Sequence, residues 1–214
     1  MFNILLTGVG GQGTVLAAKV LAMAAAAKGW KVRTAETIGM AQRGGSVTSH
    51  VRMGNNGEDV LAPLITHGTA DVIIAFEPGE AARNLSYLSR NGVVITAATT
   101  VEPVSASLAS MQYTSKDILE KIELTLYNDM AKGLVQKLQP PRRRRLIPID
   151  DMAVTDALGG NRKVLNSVLL AAAVAQNCLP ITIEELRNAV SACVKPQFVN
   201  MNVNAIDTVV RGMK

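Results

Sequence analysis

Five residues near the N-terminus have the types and spacing of a phosphate-binding turn: Gly8, Gly10, Gly11, Gln12 and Gly13. They separate a short apolar run from a segment rich in alanine and leucine, as expected between a strand and a helix. In that setting, backbone amides and the helix N-terminus can hold a phosphate or pyrophosphate group. We predict these five residues to be cofactor-binding, although the glycines could serve only to turn the chain and pack the helix.

Glu36 is the acidic residue that would complete a nucleotide site. It follows Gly13 by 23 residues, near the end of the second predicted strand, where a dinucleotide-binding fold places its ribose-binding acid. This pattern alone suggests NAD. A dehydrogenase also needs a proton-transfer group, and we expect His50, within a predicted strand, and His67, in a turn, to be structural. No catalytic residue is assigned.

A second glycine-rich segment, Thr37–Gly45, is predicted to be an irregular loop. It follows the second strand, so in a parallel sheet it should lie at the carboxyl edge, on one rim with the glycine turn. Arg43 offers a planar charge suited to carboxylate or phosphate, and Gly44 and Gly45 allow close backbone approach. The alternative is a solvated loop with no ligand.

The cysteines are too few to hold a metal or an iron–sulfur cluster. Cys178 and Cys193 lie fifteen residues apart, with no second close thiol and no nearby histidine. Cys193 shares an apolar stripe with Leu186 and Val190, which predicts a small buried hydrophobe. We assign no metal ligand in this chain.

These segments need strands and helices to position them. Predicted strands cover Phe2–Thr7, Lys31–Glu36, Ser46–Met53, Asp71–Phe76, Gly92–Ala97 and Leu146–Ile149. Predicted helices cover Thr14–Ala27, Gly79–Leu88, a long segment from about Ile118 to Leu138, Arg162–Gln176, and a segment after the capping box Thr182-x-x-Glu185. The alternation predicts an α/β fold: one three-layer α/β/α domain over residues 1–214 with a mainly parallel, Rossmann-like sheet.

Composition favours a globular intracellular protein. Of the 214 residues 48% are hydrophobic, and the longest apolar runs have eight residues, whereas a spanning helix needs roughly 20. No signal peptide is evident, so we expect a cytoplasmic protein without a membrane partner. The net charge is +5, but Arg142–Arg145 supply much of the excess and only 3% of residues are aromatic, so no nucleic-acid partner is expected. We predict Arg142–Arg145 to be a solvated loop.

Several segments, in order along the chain, carry a resemblance to a known family. They are the turn Gly8–Gly13, the stretch from Glu36 through Gly39–Val47 to Arg52, Ala75–Pro78, and Asn161–Leu170. Together they resemble the gamma-type subunits of 2-oxoacid:ferredoxin oxidoreductases, and within that family the indolepyruvate type. The resemblance spans roughly residues 2–200.

The resemblance implies an accessory subunit that carries no redox centre and is inactive alone. Thiamine diphosphate, Mg and 4Fe-4S clusters would lie on a large alpha subunit, which decarboxylates an arylpyruvate, forms an acyl-CoA and passes electrons to ferredoxin. Coenzyme A phosphates would face Gly8–Gly13. Residues Glu36, Gln42, Arg43, Gly44 and Gly45 would face the substrate or the partner. Two alternatives stay open: a free-standing NAD-dependent oxidoreductase, and a binding or scaffold module without catalysis.

Overall fold

A six-stranded sheet forms the centre of the molecule in a computed structural model that describes residues 1–39, 45–102, 113–135 and 144–213. The strands of this described part are β1 (Phe2–Val9), β2 (Lys31–Ile38), β3 (Ser46–Gly54), β4 (Ala70–Ala75), β5 (Leu88–Ala97) and β6 (Arg145–Ile149). Their order is β2-β3-β1-β4-β5-β6. Strands β1, β4, β5 and β6 are parallel to one another, and β3 is antiparallel to both β1 and β2.

Helices cover both faces of the sheet. The helices of the described residues are α1 (Thr14–Ala27), α2 (Pro78–Arg83), α3 (Ser115–Val135), α4 (Asp151–Asp156), α5 (Leu165–Ala175), α6 (Ile183–Cys193) and α7 (Val199–Gly212). One core joins Ile4 and Leu6 of β1 to α1, α5, α6 and α7. A second core, on the opposite face, joins Leu5 to α2 and α3. The predicted three-layer α/β/α architecture with a mainly parallel sheet is confirmed.

Alternation along β1 explains how one strand serves two cores. Successive side chains of a strand point to opposite faces, so Ile4 and Leu6 enter one core while Leu5 enters the other. All three side chains are fully buried. The continuous apolar run of β1 is therefore the pattern of a central strand covered on both faces.

Two expected loops are partly strand. Thr37 and Ile38 extend β2, because they pair with Thr48 and Val47 of β3. The prediction of a solvated loop at Arg142–Arg145 is wrong for its last two residues: Arg145 opens β6, and Arg144 donates from Nε and Nη2 to the carbonyls of Ser89 and Leu88, at 3.0 and 2.7 Å. These bonds fix the entry to β6 against β5. Arg142 and Arg143 lie outside the described residues.

Other differences concern helices. The segment predicted as one helix over Gly79–Leu88 is the short α2 followed by a 3₁₀ turn at Leu85–Tyr87, and β5 begins at Leu88. Helices α4 and α7 were not predicted, and α7 buries only a narrow stripe of Asn202, Ala205, Ile206 and Val209. Within the described ranges, no helix is both long enough and apolar enough to cross a membrane.

Candidate functional site

The glycine turn joins β1 to α1 and leaves the start of the helix open. Gly11 and Gly13 have φ values of +95° and +89°, a conformation that favours glycine. Gly13 is the N-cap of α1, where no side chain accepts a hydrogen bond from the first turn and no acidic residue follows. The first amides of α1, with the partial positive charge of the helix N-terminus, therefore remain available to an anion.

Two of the five residues predicted in this turn serve the fold itself. A Cβ at Gly8 would lie 2.9 Å from Phe76 Cβ and 2.8 Å from Gln12 Oε1, so this glycine is required by packing. Gln12 Oε1 accepts from Val9 N at 2.7 Å, and its Nε2 donates to Phe76 O at 3.0 Å. The Gln12 side chain thus ties the turn to the end of β4.

A cavity of about 740 Å³ opens beside the turn, a size typical of small-molecule sites. Three segments line it: the turn, the residues that follow β5, and the stretch that leads into α5. The lining residues are Gly11, Gln12, Gly13, Leu16, Thr99, Thr100, Val101, Gly160, Asn161, Arg162, Lys163, Leu165 and Asn166. The turn and the residues after β5 follow the carboxyl ends of parallel strands, the edge at which α/β sheets bind ligands.

Arg162 and Lys163 bring two cationic side chains to the cavity wall, and within the described part of the chain only Arg162 is paired with a carboxylate. Arg162 Nη2 donates to Asp151 Oδ2 at 2.8 Å, and Asp151 Oδ1 accepts from Thr99 N at 2.9 Å. Asp151 is fully buried, so one carboxylate holds two walls of the cavity in place. Lys163 is exposed and forms no ion pair with a carboxylate of the described residues. The arrangement suits an anionic ligand.

The second loop meets the glycine turn at one rim, as predicted. Gly10 N donates to Gly45 O at 2.9 Å, and Gly39 N donates to Ser46 O at 2.8 Å. These bonds place both described ends of the loop at the carboxyl end of β1. Gln42, Arg43 and Gly44 lie outside the described residues, so their predicted contacts remain predictions.

Two buried glutamates anchor the same rim. Glu77 accepts from Tyr113 Oη at 3.0 Å and from Glu80 N at 2.8 Å, and Glu80 accepts from Ser46 Oγ at 2.6 Å and pairs with Arg83. Burial, followed by the charge of Glu77, raises the pKa of Tyr113 to about 12, so its hydroxyl stays a donor. The pair therefore fixes Ser46 and Tyr113 beside the end of β4.

Residues 3–211 match the model of the pyruvate ferredoxin/flavodoxin oxidoreductase family. The chain belongs to this family. It is similar to the indolepyruvate oxidoreductase subunit IorB of Pyrococcus horikoshii, at 35% identity over 213 residues that cover 100% of this chain and 96% of the relative. The subunit of the same name from Archaeoglobus fulgidus is 35% identical over 204 residues, which cover 95% of this chain and 91% of the relative.

Solved structures of related proteins share the fold. The gamma subunit of a keto/oxoacid ferredoxin oxidoreductase from Geobacter sulfurreducens superposes with a TM-score of 0.64 at 20% identity, covering 100% of this chain and 98% of that one. The 2-oxoglutarate:ferredoxin oxidoreductase from Magnetococcus marinus, solved with 2-oxoglutarate, coenzyme A and succinyl-CoA bound, gives 0.66 at 17% identity. This chain is covered completely there, and 31% of that longer chain is matched. The predicted family resemblance is confirmed.

In this family member, Glu36 does not occupy the position of a ribose-binding acid. It lies on β2, and β3 separates β2 from β1. Glu36 pairs with Ser49, which pairs with Leu6, so Glu36 is level with the middle of β1 rather than with the turn. Two strand spacings, about 10 Å, separate them. The spacing of Glu36 from the glycine turn therefore does not form the nucleotide site of a dinucleotide-binding fold.

The histidines and cysteines behave as structural residues. His50 is buried and its Nδ1 accepts from Ile65 N at 3.2 Å, and burial lowers its pKa. His67 stacks on Tyr87 with ring centroids 4.1 Å apart. Burial raises the pKa of the thiols of Cys178 and Cys193. Cys178 is buried, whereas Cys193, which was predicted to be buried, is only partly so. Among the described residues, no group of three or more His, Cys, Asp and Glu side chains could hold a metal.

Sequence reasoning missed most of the cavity wall. Arg162, Lys163 and Asn166 of the wall, and Asp151 behind it, were not predicted as site residues, because they lie far along the chain from the glycine turn. One signal was present: Asn161-Arg162-Lys163 is a polar run between Gly159-Gly160 and an apolar helix. A polar run at the start of a buried helix marks a surface that faces solvent or a ligand.

Proposed function

We propose that this chain is the non-redox accessory subunit of an indolepyruvate-type 2-oxoacid:ferredoxin oxidoreductase and that its cavity binds coenzyme A. The observation that carries this proposal is the cavity itself, in which the uncapped N-terminus of α1 faces Arg162 and Lys163. Coenzyme A carries a diphosphate and a third phosphate, so it offers negative charge both to the helix N-terminus and to the Lys163 ammonium. The full-length similarity to IorB subunits supports the indolepyruvate assignment.

The redox chemistry belongs, in this proposal, to a large partner subunit in the cytoplasm. With two cysteines, the whole chain has too few thiolates for the four that a 4Fe-4S cluster needs. Thiamine diphosphate with Mg, and the clusters, would lie on that partner, which decarboxylates the oxoacid and passes electrons to ferredoxin. This chain would position coenzyme A to receive the acyl group. Glu36, Gln42, Arg43, Gly44 and Gly45 would face the partner or its substrate.

Reconstitution tests this proposal. The chain is purified alone and together with the large subunit encoded in its native organism, and each sample is assayed for oxoacid-dependent reduction of a viologen dye with and without coenzyme A. We expect no activity from the chain alone and CoA-dependent activity from the complex, with indolepyruvate a better substrate than pyruvate or 2-oxoglutarate. Turnover by the single chain, or tight NADH binding to it, would favour the free-standing oxidoreductase instead.

A further inference from the structure

The side-chain amide of Asn166 has a hydrogen-bonded oxygen and a nitrogen without an acceptor among the described residues. It is the second residue of α5, only 5% exposed, and it lines the cavity beside the glycine turn. Its Oδ1 accepts from Ser167 N at 2.9 Å, which settles which end of the amide is oxygen. Its Nδ2 donates to no acceptor of the described residues. Nδ2 itself is reachable from the cavity, so a molecule bound there can supply its acceptor.

The free amide points toward the open end of α1. A Cβ placed on Gly13 would lie 3.6 Å from Asn166 Nδ2, so the amide sits directly against the N-cap of that helix. Gly13 has no side chain to fill this space, and no side chain caps the first turn. The donor of Asn166 and the first amides of α1 therefore converge on one volume from two different helices.

We propose that Asn166 is a ligand-binding residue whose Nδ2 donates a hydrogen bond to an anionic oxygen seated on the Gly11–Gly13 turn. The expected group is a phosphate or diphosphate, because its oxygens accept hydrogen bonds and the adjacent helix N-terminus favours negative charge. The identity of that ligand as coenzyme A rests on the proposed function. The anion subsite itself rests only on the geometry of Asn166 and α1.

Two substitutions at this position separate the loss of a donor from the addition of a charge. Asn166→Ala removes Nδ2, and Asn166→Asp keeps the shape but replaces the donor by a carboxylate oxygen that repels an anion. Ser167→Ala is the matched control: it is the next residue on α5, buried, and its Oγ donates to Asn202 at 2.8 Å, away from the turn. Thermal melting and circular dichroism select variants that are folded like the wild type.

Binding of inorganic pyrophosphate to the full chain is measured by calorimetry, and the Michaelis constant for coenzyme A is measured on the assembled complex. We expect Asn166→Ala to weaken pyrophosphate binding roughly tenfold, the size of one hydrogen bond to a charged group, and Asn166→Asp to weaken it further. Ser167→Ala should bind as the wild type does. The Michaelis constant for coenzyme A should rise in the same order, with kcat nearly unchanged.

Several outcomes would overturn the assignment. One is that the wild-type chain does not bind pyrophosphate at millimolar concentration. Another is that Asn166→Ala binds it normally while only Asn166→Asp is weak, since charge alone would then account for the effect. Failure of the proposed function looks different: pyrophosphate binding would respond to Asn166 as expected, while the complex would turn over without any dependence on coenzyme A.

Discussion

Gly11 combines a strained backbone with a position on the cavity wall, and the two properties can be tested separately. Its φ of +95° disfavours any side chain, yet a Cβ there would meet nothing within 4 Å. Gly57 has nearly the same φ, +86°, and the same open surroundings, in the turn after β3. Alanine at either position should cost about 1 kcal/mol of unfolding free energy, the penalty of a left-handed backbone.

Only Gly11→Ala should also disturb the ligand, because Gly57 does not line the cavity. We expect Gly11→Ala to raise the Michaelis constant of the complex for coenzyme A and leave that for the oxoacid unchanged, and Gly57→Ala to change neither. Denaturant unfolding and steady-state kinetics check the two parts. Equal kinetics in both variants would mean that the glycines serve the strand–helix turn alone.

His50 should make stability depend on pH. Burial disfavours the charged ring and lowers its pKa below the ordinary 6.5. The neutral ring accepts a hydrogen bond from Ile65 N. As the pH falls below 6.5, the unfolded chain takes up a proton that the folded chain still refuses, so unfolding becomes more favourable. The contribution of His50 to the free energy of unfolding should therefore be complete above pH 6.5. It should decrease as the pH falls from 6.5 toward the pKa of His50 in the folded protein.

His50→Gln should remove this part of the decline, whereas His67→Gln, at an exposed position, should leave it in place. Urea denaturation of the three proteins between about pH 5 and pH 8, the range in which histidine titrates, measures the difference. A decline that persists unchanged in His50→Gln would assign it to other groups.

The start of α6 carries a capping box that can be tested as a unit. Thr182 Oγ1 accepts from Glu185 N at 3.2 Å, and Glu185 accepts from Thr182 N at 2.7 Å. Thr182→Ala should therefore cost about 1 kcal/mol of unfolding free energy, the usual value of an N-cap. Thr208→Ala is a control, since Thr208 is on α7 and its hydroxyl donates to the carbonyl of Asn204 on the same helix.

Glu185 makes the stability contributed by the start of α6 depend on pH. Its hydrogen bond from Lys28, then that from Thr182 N, lower its pKa below the ordinary 4.5. A lowered folded pKa contributes stability above 4.5 that is lost as the pH falls through the folded value. The destabilisation caused by Glu185→Gln should therefore be present at neutral pH and shrink in acid. A constant difference across the acid range would show that Glu185 acts through shape alone.

Local signals in the sequence explain which helices and strands can be predicted. The bounds of α1 follow from its alanine-rich run and from Gly29, whose φ of +73° ends the helix. The capping box gives α6 in the same way. The sequence does not show that β3 runs antiparallel to β2. A strand that forms a hairpin and a strand of a parallel sheet can have the same pattern of β-branched residues. Helix α7 is polar except for one stripe, so only packing on α5 reveals it.

For the whole molecule, strand order decides which residues meet. The glycine turn was identifiable because its residues are adjacent in sequence. The cavity also needs Thr99, Arg162 and Asn166, which come from different segments. They meet because β5 lies one strand away from β1, across β4, and α5 packs against α1. Insertion of β3 between β1 and β2 likewise moves Glu36 away from the turn. Neither consequence can be derived from spacing along the chain.

Arg43 tests whether this chain contributes to a site completed by another subunit. The sequence places it in the glycine-rich segment that meets the glycine turn at Gly45, and a loop arginine beside Gly44 contributes little to packing. Arg43→Ala should change the free energy of unfolding by less than about 1 kcal/mol, as is usual for surface sites. Activity of the assembled complex should fall much further, because the lost charge would face the partner or its substrate.

Arg211→Ala is the matched control for this prediction. Arg211 is exposed in the last turn of α7, and its Nε donates to the carbonyl of Asp207 on the same helix. Both variants are compared by denaturant unfolding of the chain, by co-purification with the large subunit, and by specific activity per assembled complex. Loss of co-purification in Arg43→Ala alone would place Arg43 at the interface, and normal assembly with low activity would place it at the substrate. A loss of several kcal/mol with normal specific activity would make Arg43 a structural residue and contradict both assignments.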